Sequence, residues 1–300
     1  SLHFCLQVED EAPGTRLWLR VRDNLWYSPY FMVFANEPRG SLEPRGGFLC
    51  DEMGLGKTIV SLGLIVLRPP PETHQGGQTL VVCPVSLASQ WVKEARRHIL
   101  GAAPEDVYLH HGSNRLTNSP ADQRRLHSKK IVVTTYGIMS RDTSLRAAST
   151  YRRFGALDHT IWHRVIFDES HVLRNPNTLQ YKSCLRLKAA HRWVVSGTPA
   201  ENSVYPQSML VSNAFPKPGV HHTRTPFTHA RFSILCKFLI RHQKDINIDG
   251  LPILELPPCE VANCMVALTP EERRKYEDVR QTTATRIPFM VGITAFREIQ

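Results

Sequence analysis

The chain has 300 residues, 42% hydrophobic and 21% charged, and this composition excludes a wholly disordered protein. Its formal net charge of +10 favours a polyanionic partner, although ordinary soluble surfaces also carry such an excess. No apolar run reaches the roughly 18 residues of a membrane span, and no signal peptide opens the chain. We therefore expect a soluble protein of the cytosol or nucleus, with no membrane partner, and the start at Ser1 predicts a fragment.

The seven cysteines are scattered along the chain and form no Cys-x-x-Cys pair. The closest two, Cys259 and Cys264, have neither a second pair nor spaced histidines near them. Reduced and mostly buried thiols of an intracellular protein are therefore expected, in preference to a zinc site.

The elements can be predicted in chain order. The first 45 residues contain several aromatic residues but no clear period, so residues 1–45 are predicted only as a flanking segment. From residue 46 onward, short apolar runs alternate with helical stretches, predicted at 57–67 and 86–99. Because the strands are apolar on both faces, the pattern predicts an α/β fold with a mostly parallel sheet and helices on both faces. The predicted strands are residues 47–50, 79–83, 106–110, 131–136, 161–167 and 192–195.

The C-terminal part has a different pattern. Residues 212–228 contain three prolines without periodicity and predict a boundary, and residues 229–242 look helical beyond it. Thr269, Pro270 and Glu272 form a strong helix start with a capping box. The predicted organisation is a nucleotide-binding lobe at residues 46–215, followed by a linker and helical extension at residues 216–300.

The run CDEMGLGKT, residues 50–58, ends like a phosphate-binding loop between a strand and an apolar helix. Lys57 is expected to reach the β- and γ-phosphates of a nucleotide, and the Thr58 hydroxyl to hold Mg²⁺. Asp51 replaces the first glycine of the strict pattern, which requires only that residue 51 avoid a glycine-only conformation. A structural glycine-rich turn is the alternative interpretation. The residues expected to bind nucleotide are Asp51, Glu52, Met53, Gly54, Leu55, Gly56, Lys57 and Thr58.

Two further strand ends carry polar residues. The run VIFDESH, residues 165–171, ends a buried strand with Asp168 and Glu169. Asp168 is expected to anchor Mg²⁺ and Glu169 to polarise the attacking water, so these two and Lys57 are the predicted catalytic residues. A solvated strand end is the alternative. The run VVSGTPAEN, residues 194–202, places Ser196 and Thr198 where they could hydrogen-bond to the carboxylate strand.

These motifs together resemble a known family. DEMGLGKT, CPVSLASQW, VVTTYG, DESH and SGTP, in this order, are similar to the first lobe of the Snf-type (Swi/Snf) helicase-like ATPases of superfamily two. The resemblance covers about residues 46–270. The framing of the phosphate loop and the run DESHVLRN resemble the branch of helicase-like transcription factor and postreplication-repair translocases. Within the family Asp51, Glu52 and Met53 are the typical residues of the loop.

The resemblance implies a RecA-like P-loop lobe of a nuclear, DNA-stimulated ATPase that uses ATP and Mg²⁺ and tracks along double-stranded DNA. Chromatin remodelling or DNA repair is the implied process, with nucleosomes or other protein–DNA complexes as further partners. Trp91 also lies in a segment that faces nucleic acid in the family, but its helical spacing favours the core. The residues implied to contact nucleic acid are Ser86, Gln90, Thr134, Thr135, Tyr136 and Gly137. Those implied to couple the γ-phosphate to movement are Ser196, Gly197, Thr198 and His171.

Several departures limit the transfer. No His-Gln segment that reads adenine precedes the loop, and His242 stands where the second arginine of the family's Arg-Arg-x-x-Lys segment is expected. The chain also ends before a second lobe with its arginine finger, so we expect poor hydrolysis by this piece alone. A non-catalytic nucleotide- or DNA-binding scaffold is one alternative. The motor part of a RING-type ubiquitin ligase is another, which these residues neither support nor exclude.

Overall fold

The structure is a computed structural model. The contacts between its residues divide the chain into two compact units, Ser1–Leu254 and Glu255–Gln300. In the second unit the described structure is one helix, α7 (Pro270–Arg286), treated below by itself. The described residues are 1–10, 17–29, 32–37, 46–99, 104–141, 155–197, 237–248, 251–252 and 267–286.

The first unit begins with a helix and a small antiparallel sheet. Helix α1 spans Leu2–Asp10, and strands β1 (Leu19–Arg22), β2 (Leu25–Ser28) and β3 (Val33–Ala35) form a meander. Leu17, Trp18 and Phe238 are buried together beside this meander. The sequence shows no period here because both elements depend on contacts with residues far along the chain.

A seven-stranded sheet with every strand parallel lies at the centre of this unit. Its central strands are buried along nearly their whole length, which explains why they read as continuous apolar runs. The strands are β4 (Gly46–Leu49), β5 (Gly77–Cys83), β6 (Val107–Leu109), β7 (Ile131–Thr135), β8 (Ile161–Asp168), β9 (Lys188–Val195) and β10 (Leu239–Ile240). Their order across the sheet is β10-β4-β9-β8-β5-β7-β6.

Helices cover both faces of the sheet. Helices α1, α2 (Lys57–Leu67) and α3 (Val85–His98) contribute to one apolar core. The opposite core contains residues of α4 (Pro120–His127), α5 (Ala156–His159) and α6 (Leu179–Arg186). The predicted α/β fold with a parallel sheet and helices on both faces is therefore confirmed. Two short strands, β11 (Asn247–Ile248) and β12 (Leu251–Pro252), pair with each other.

Most element predictions are confirmed. All six predicted strands are present, the helix at 57–67 has the predicted bounds, and the helix predicted at 86–99 is α3. The helix predicted at 229–242 is wrong at Leu239–Ile240, which form β10 and pair with β4. Pairing with the edge of a buried sheet outweighs a local helical pattern. Residues 229–236 lie outside the described part of the chain. The predicted boundary at residue 215 also lies outside it, and β10, which comes later in the chain, belongs to the same sheet.

The remaining expectations concern the second unit and the thiols. At the start of α7, the Glu272 amide donates to the Thr269 hydroxyl at 3.3 Å, and the Thr269 amide donates to the Glu272 carboxylate at 2.9 Å, so the capping box is confirmed. Cys5, Cys50 and Cys184, like Cys83, are buried free thiols. Among the described residues, no helix combines the length and the apolar character that a membrane crossing requires.

Candidate nucleotide-binding site

Three predicted segments meet at the carboxyl edge of the sheet. The phosphate loop follows β4, Asp168 ends β8, and Ser196 follows β9, and these three strands are neighbours in the sheet. Ligands of open α/β sheets bind at this edge because the loops there diverge and the helix N-termini point toward it. The strand order therefore brings together residues that are separated by more than a hundred positions in sequence.

The phosphate loop turns sharply through two glycines. Gly54 has φ 92° and Gly56 has φ 77°, a left-handed conformation that favours glycine, and Gly56 is the N-cap of α2. Asp51 is not among the described residues with positive φ, which confirms that this position does not require glycine. The Lys57 ammonium donates to the backbone carbonyls of Asp51 at 2.8 Å and Glu52 at 3.3 Å.

An open cleft of about 390 Å³ lies beside this loop. Its walls are the loop and the start of α2 on one side, residues of α3 on another, and Asp168 with Glu169 at the end of β8. A volume of this size is within the usual range for small-ligand sites, roughly 300–1,000 Å³. The lining residues are Met53, Gly54, Gly56, Lys57, Thr58, Ile59, Leu87, Gln90, Trp91, Glu94, Asp168 and Glu169.

Asp168 is a buried carboxylate held by dipolar donors. Its Oδ2 accepts from the Trp91 indole N–H at 2.7 Å, and its Oδ1 accepts from the Glu169 amide at 2.9 Å. The Tyr136 hydroxyl donates to the Asp168 carbonyl at 2.8 Å. Burial raises the pKa of Asp168, and the Glu169 charge adds to this, while the hydrogen bond from Trp91 and the charge of Lys57 oppose it.

The Trp91 contact is a site interaction that the sequence did not predict. The helical spacing predicted a core side chain, and Trp91 is indeed 2% exposed. Its indole N–H nevertheless reaches a carboxylate 77 positions away. Buried indole N–H groups normally have a hydrogen-bond partner. The only signal for this contact in the sequence was therefore a predicted core tryptophan together with a strand that ends in carboxylates.

Glu169 follows Asp168 in a left-handed conformation, with φ 48°. Glu169 and Asp168 both line the same cleft. The Glu169 carboxylate lies 3.1 Å from Nδ1 of His171, one of the predicted coupling residues. A non-glycine residue in this region of φ is uncommon and is typical of functional sites.

The segment after β9 lies against the loop. The Ser196 amide donates to the Leu49 carbonyl at 3.2 Å, at the point where the phosphate loop begins. A Cβ atom placed on Gly197 would lie 3.3 Å from Met53 Cγ and 3.7 Å from Lys57 Nζ. Gly197 therefore lies close to both Met53 and Lys57 of the loop. Thr198 lies outside the described residues, and the coupling role of the set stays a prediction.

The residues predicted to contact nucleic acid have mixed positions. Ser86 and Gln90 are exposed on α3, and Gln90 also lines the nucleotide cleft. Thr134, Thr135 and Tyr136 are buried, and the Thr134 hydroxyl donates to the His110 carbonyl at 3.1 Å, whereas Gly137 is exposed. The buried side chains support the sheet edge from within. A nucleic-acid role therefore stays a prediction that rests on the exposed members.

The residues of the cleft fit a phosphorylated nucleotide with a divalent cation. The ammonium of Lys57 is held only part-buried by carbonyl oxygens at the mouth of the cleft. Asp168 is a buried carboxylate whose charged form burial disfavours, so a cation would offset that cost. Thr58, which could supply a hydroxyl ligand, lines the same cleft.

The fold and this site define the class of the protein. Residues 17–290 match the family model described as the SNF2-related domain, so the chain belongs to this family. The predicted resemblance to Snf-type helicase-like ATPases is confirmed.

Three relatives illustrate the match. An uncharacterized ATP-dependent helicase of Schizosaccharomyces pombe is 35% identical over 261 residues, which cover 79% of this chain and 25% of that protein. Human helicase-like transcription factor is 34% identical over 216 residues, 67% of this chain and 20% of that protein. DNA repair protein RAD5 of Yarrowia lipolytica is 27% identical over 318 residues, 93% of this chain and 29% of that protein. The chain thus spans about a quarter of the length of these relatives.

One solved structure shows the same fold. The SWI2/SNF2 ATPase core of Sulfolobus solfataricus, in complex with double-stranded DNA, has a TM-score of 0.50 and 24% sequence identity. The match covers 83% of this chain and 50% of that chain. The relatives named above include the branch that the motifs predicted.

Proposed function

We propose that this chain is the ATP-binding lobe of an ATP-dependent double-stranded-DNA translocase, which hydrolyses ATP to ADP and phosphate. The observation that carries the proposal is the meeting of Lys57, Asp168 and Glu169 at one cleft on the carboxyl edge of a parallel sheet. A loop with these glycines, followed by lysine and threonine and faced by two carboxylates, is the arrangement that phosphoryl transfer to water requires.

Each residue has a role in this proposal. Lys57 leaves the carbonyls of Asp51 and Glu52 to bind phosphate oxygens, and the N-terminus of α2 adds its backbone dipole. Thr58 and Asp168 would hold Mg²⁺, which when bound would supply positive charge to neutralise the phosphates. Glu169 orients a water molecule for attack on the γ-phosphate and accepts its proton. Trp91 fixes the rotamer of Asp168.

The proposal that DNA is the substrate rests on the net charge of the chain and on its relatives. A formal net charge of +10 favours a polyanion, and the Sulfolobus SWI2/SNF2 core is in complex with double-stranded DNA. Relatives include a DNA repair protein and a protein named as a helicase-like transcription factor. We therefore propose that the protein acts in the nucleus, in DNA repair or chromatin remodelling, with nucleosomes or other protein–DNA complexes as substrates and a second RecA-like lobe as partner.

The test is steady-state hydrolysis of ATP by the full-length protein, with and without duplex DNA. We expect Lys57→Ala to weaken ATP binding about tenfold or more, because a charged donor to phosphate is lost. Glu169→Gln should keep ATP binding and slow hydrolysis by about 10²–10⁴. Lys182→Ala on α6 and Glu105→Gln change exposed residues of the same types and should behave like the unmodified protein. ATP binding without DNA-stimulated hydrolysis would favour the non-catalytic scaffold.

A further inference from the structure

Strand β10 continues beside the phosphate loop as a short stretch, residues 240–244, which we call the anchor segment. The Cys50 amide donates to the Ile240 carbonyl at 2.8 Å, and the Glu52 amide donates to the His242 carbonyl at 3.0 Å. The hydrogen-bond ladder between β4 and β10 therefore extends past the end of both strands. The first part of the phosphate loop is held as if it were a further piece of the sheet.

Two side chains of the loop bind the anchor segment. Asp51 is 1% exposed, and its Oδ1 accepts from the His242 amide at 2.9 Å and lies 2.7 Å from the His242 ring Nδ1. The Glu52 carboxylate accepts from the Lys244 amide at 2.8 Å. The Ser1 hydroxyl also donates to Asp51. A glycine at position 51, as in the strict phosphate-loop pattern, could make none of the contacts of the Asp51 carboxylate.

The same two residues hold the nucleotide-binding lysine. The carbonyls of Asp51 and Glu52 accept from Lys57 Nζ, while their side chains face the anchor segment. Both sets of contacts therefore depend on the position of the same two residues. The Lys244 side chain also passes near the glycine turn, since a Cβ atom built on Gly54 would lie 3.6 Å from Lys244 Cε and 3.8 Å from its Nζ.

We propose that Asp51 and Glu52 are positioning residues that join the phosphate loop to the anchor segment, so that nucleotide binding and the placement of residues 240–244 are coupled. The coupling part rests on the proposed binding of nucleotide at this loop. Coupling between two sites is reciprocal. If bound nucleotide favours the contact between the loop and the anchor segment by some factor, then loss of that contact lowers the nucleotide affinity by the same factor. His242 is the side chain through which the coupling can be tuned.

The first test measures binding of Mg²⁺-ADP to the full chain by calorimetry. We expect His242→Ala to weaken binding about tenfold, the effect of losing one hydrogen bond to a charged group. His242→Arg should recover much of the affinity, because a guanidinium can donate to the Asp51 carboxylate. His3→Ala, which removes an exposed histidine of α1, is the matched control. Equal affinity for His242→Ala and the unmodified chain would overturn the coupling.

The second test uses amide hydrogen exchange and separates this proposal from the proposed function. Without nucleotide, His242→Ala and Glu52→Ala should each raise exchange in residues 50–58 and 238–244, because each variant loses a side-chain contact that helps to keep the backbone ladder closed. Unchanged exchange in both variants would overturn the positioning role of the loop residues. With Mg²⁺-ADP, protection should rise in both segments of the unmodified chain, but only in residues 50–58 of the variants. A chain that binds no nucleotide, yet shows the nucleotide-free effect, would contradict the proposed function and leave Asp51 and Glu52 as positioning residues.

Discussion

Glu9 and Asp168 are both buried carboxylates that accept a hydrogen bond from a tryptophan indole, yet their surroundings differ in charge. Glu9 accepts from Trp193 Nε1 at 2.8 Å and from Arg164 Nε at 2.7 Å, with a second contact to the same guanidinium. The Arg164 and Glu9 side chains are 0% and 3% exposed. Asp168 accepts from the Trp91 indole and a backbone amide, both of which are neutral donors.

The two pKa shifts follow from this difference. Burial raises the pKa of Glu9, but the hydrogen bonds and charge of Arg164 outweigh it and leave the pKa lowered. Burial also raises the pKa of Asp168, and the hydrogen bond from Trp91 and the charge of Lys57 do not outweigh it, so the pKa stays raised. Glu9 therefore has its cation within the protein, whereas Asp168 carries a charge that an added cation would stabilise. The comparison separates a carboxylate that stabilises the fold from one that is available for chemistry.

The largest expected effect comes from breaking the buried pair. Glu9→Gln leaves the Arg164 guanidinium buried without a counter-charge, and we expect a loss of about 3–5 kcal/mol in the free energy of unfolding. Urea denaturation at neutral pH measures this loss. The Mg²⁺-ADP affinity of the folded variant should stay close to that of the unmodified chain, because Glu9 does not line the cleft.

Asp10 provides a matched control for that experiment. It is the next residue of α1 and pairs with Arg68, but those side chains are 50% and 37% exposed. Solvent screens an exposed pair, so Asp10→Asn should cost far less stability than Glu9→Gln. Equal losses from the two variants would show that burial does not distinguish the Glu9 pair.

A second prediction concerns acid. The pKa of His163 is lowered to about 4, chiefly by burial, with the charges of Arg164 and His191 acting in the same direction and that of Glu9 opposing them. Unfolded histidine titrates near 6.5, so between about pH 6.5 and 4 the unfolded chain binds the proton more tightly. The stabilisation is present above this window and is lost as the pH falls through it, by roughly 2 kcal/mol at pH 5 for this residue.

His163→Gln tests the acid prediction. The difference in unfolding free energy between pH 7 and pH 5, measured in urea, should become smaller in this variant than in the unmodified chain. The same measurement on His3→Ala, which removes an exposed histidine of α1, provides the comparison. An unaltered pH dependence in His163→Gln would show that the ring is already protonated in the fold.

The sequence predicted elements whose signal is local. The helix at residues 57–67 is apolar on nearly every face and follows a glycine turn, and its predicted bounds match the structure. Helix α1 and the N-terminal meander were not predicted, because both depend on distant contacts. Cys5 and Val8 of α1 are buried in the core shared with α2 and α3, and Leu17 and Trp18 are buried with Phe238, more than two hundred positions away. Strand β10 was predicted as helix because two residues are too few to show a period, and the strand forms by pairing with the distant β4.

The site shows the same division. Lys57, Asp168 and Glu169 were recognised because a phosphate loop and a carboxylate strand end have sequence patterns, and the structure brings them to one cleft. The contacts Trp91–Asp168 and Arg164–Glu9 join residues 77 and 155 positions apart. Spacing within a single sequence contains no information on such pairs. They depend on how the elements are arranged around the sheet. The sequence predicted the type of sheet but not the order of its strands.

The smallest expected effect compares the two tryptophans. Trp91→Phe and Trp193→Phe each remove one indole donor while keeping a large aromatic ring, so each should cost about 1 kcal/mol of stability. Their effects on ligands should differ. Glu9 keeps Arg164 after Trp193→Phe, so Mg²⁺-ADP binding should not change, whereas Asp168 loses a donor that fixes its orientation after Trp91→Phe. We therefore expect a higher Mg²⁺ concentration for half-maximal ADP binding in Trp91→Phe alone, measured by calorimetry at fixed nucleotide. If both variants shift the Mg²⁺ requirement equally, the Trp91 bond has no special role in orienting Asp168, and the comparison between the two carboxylates then rests on Arg164 alone.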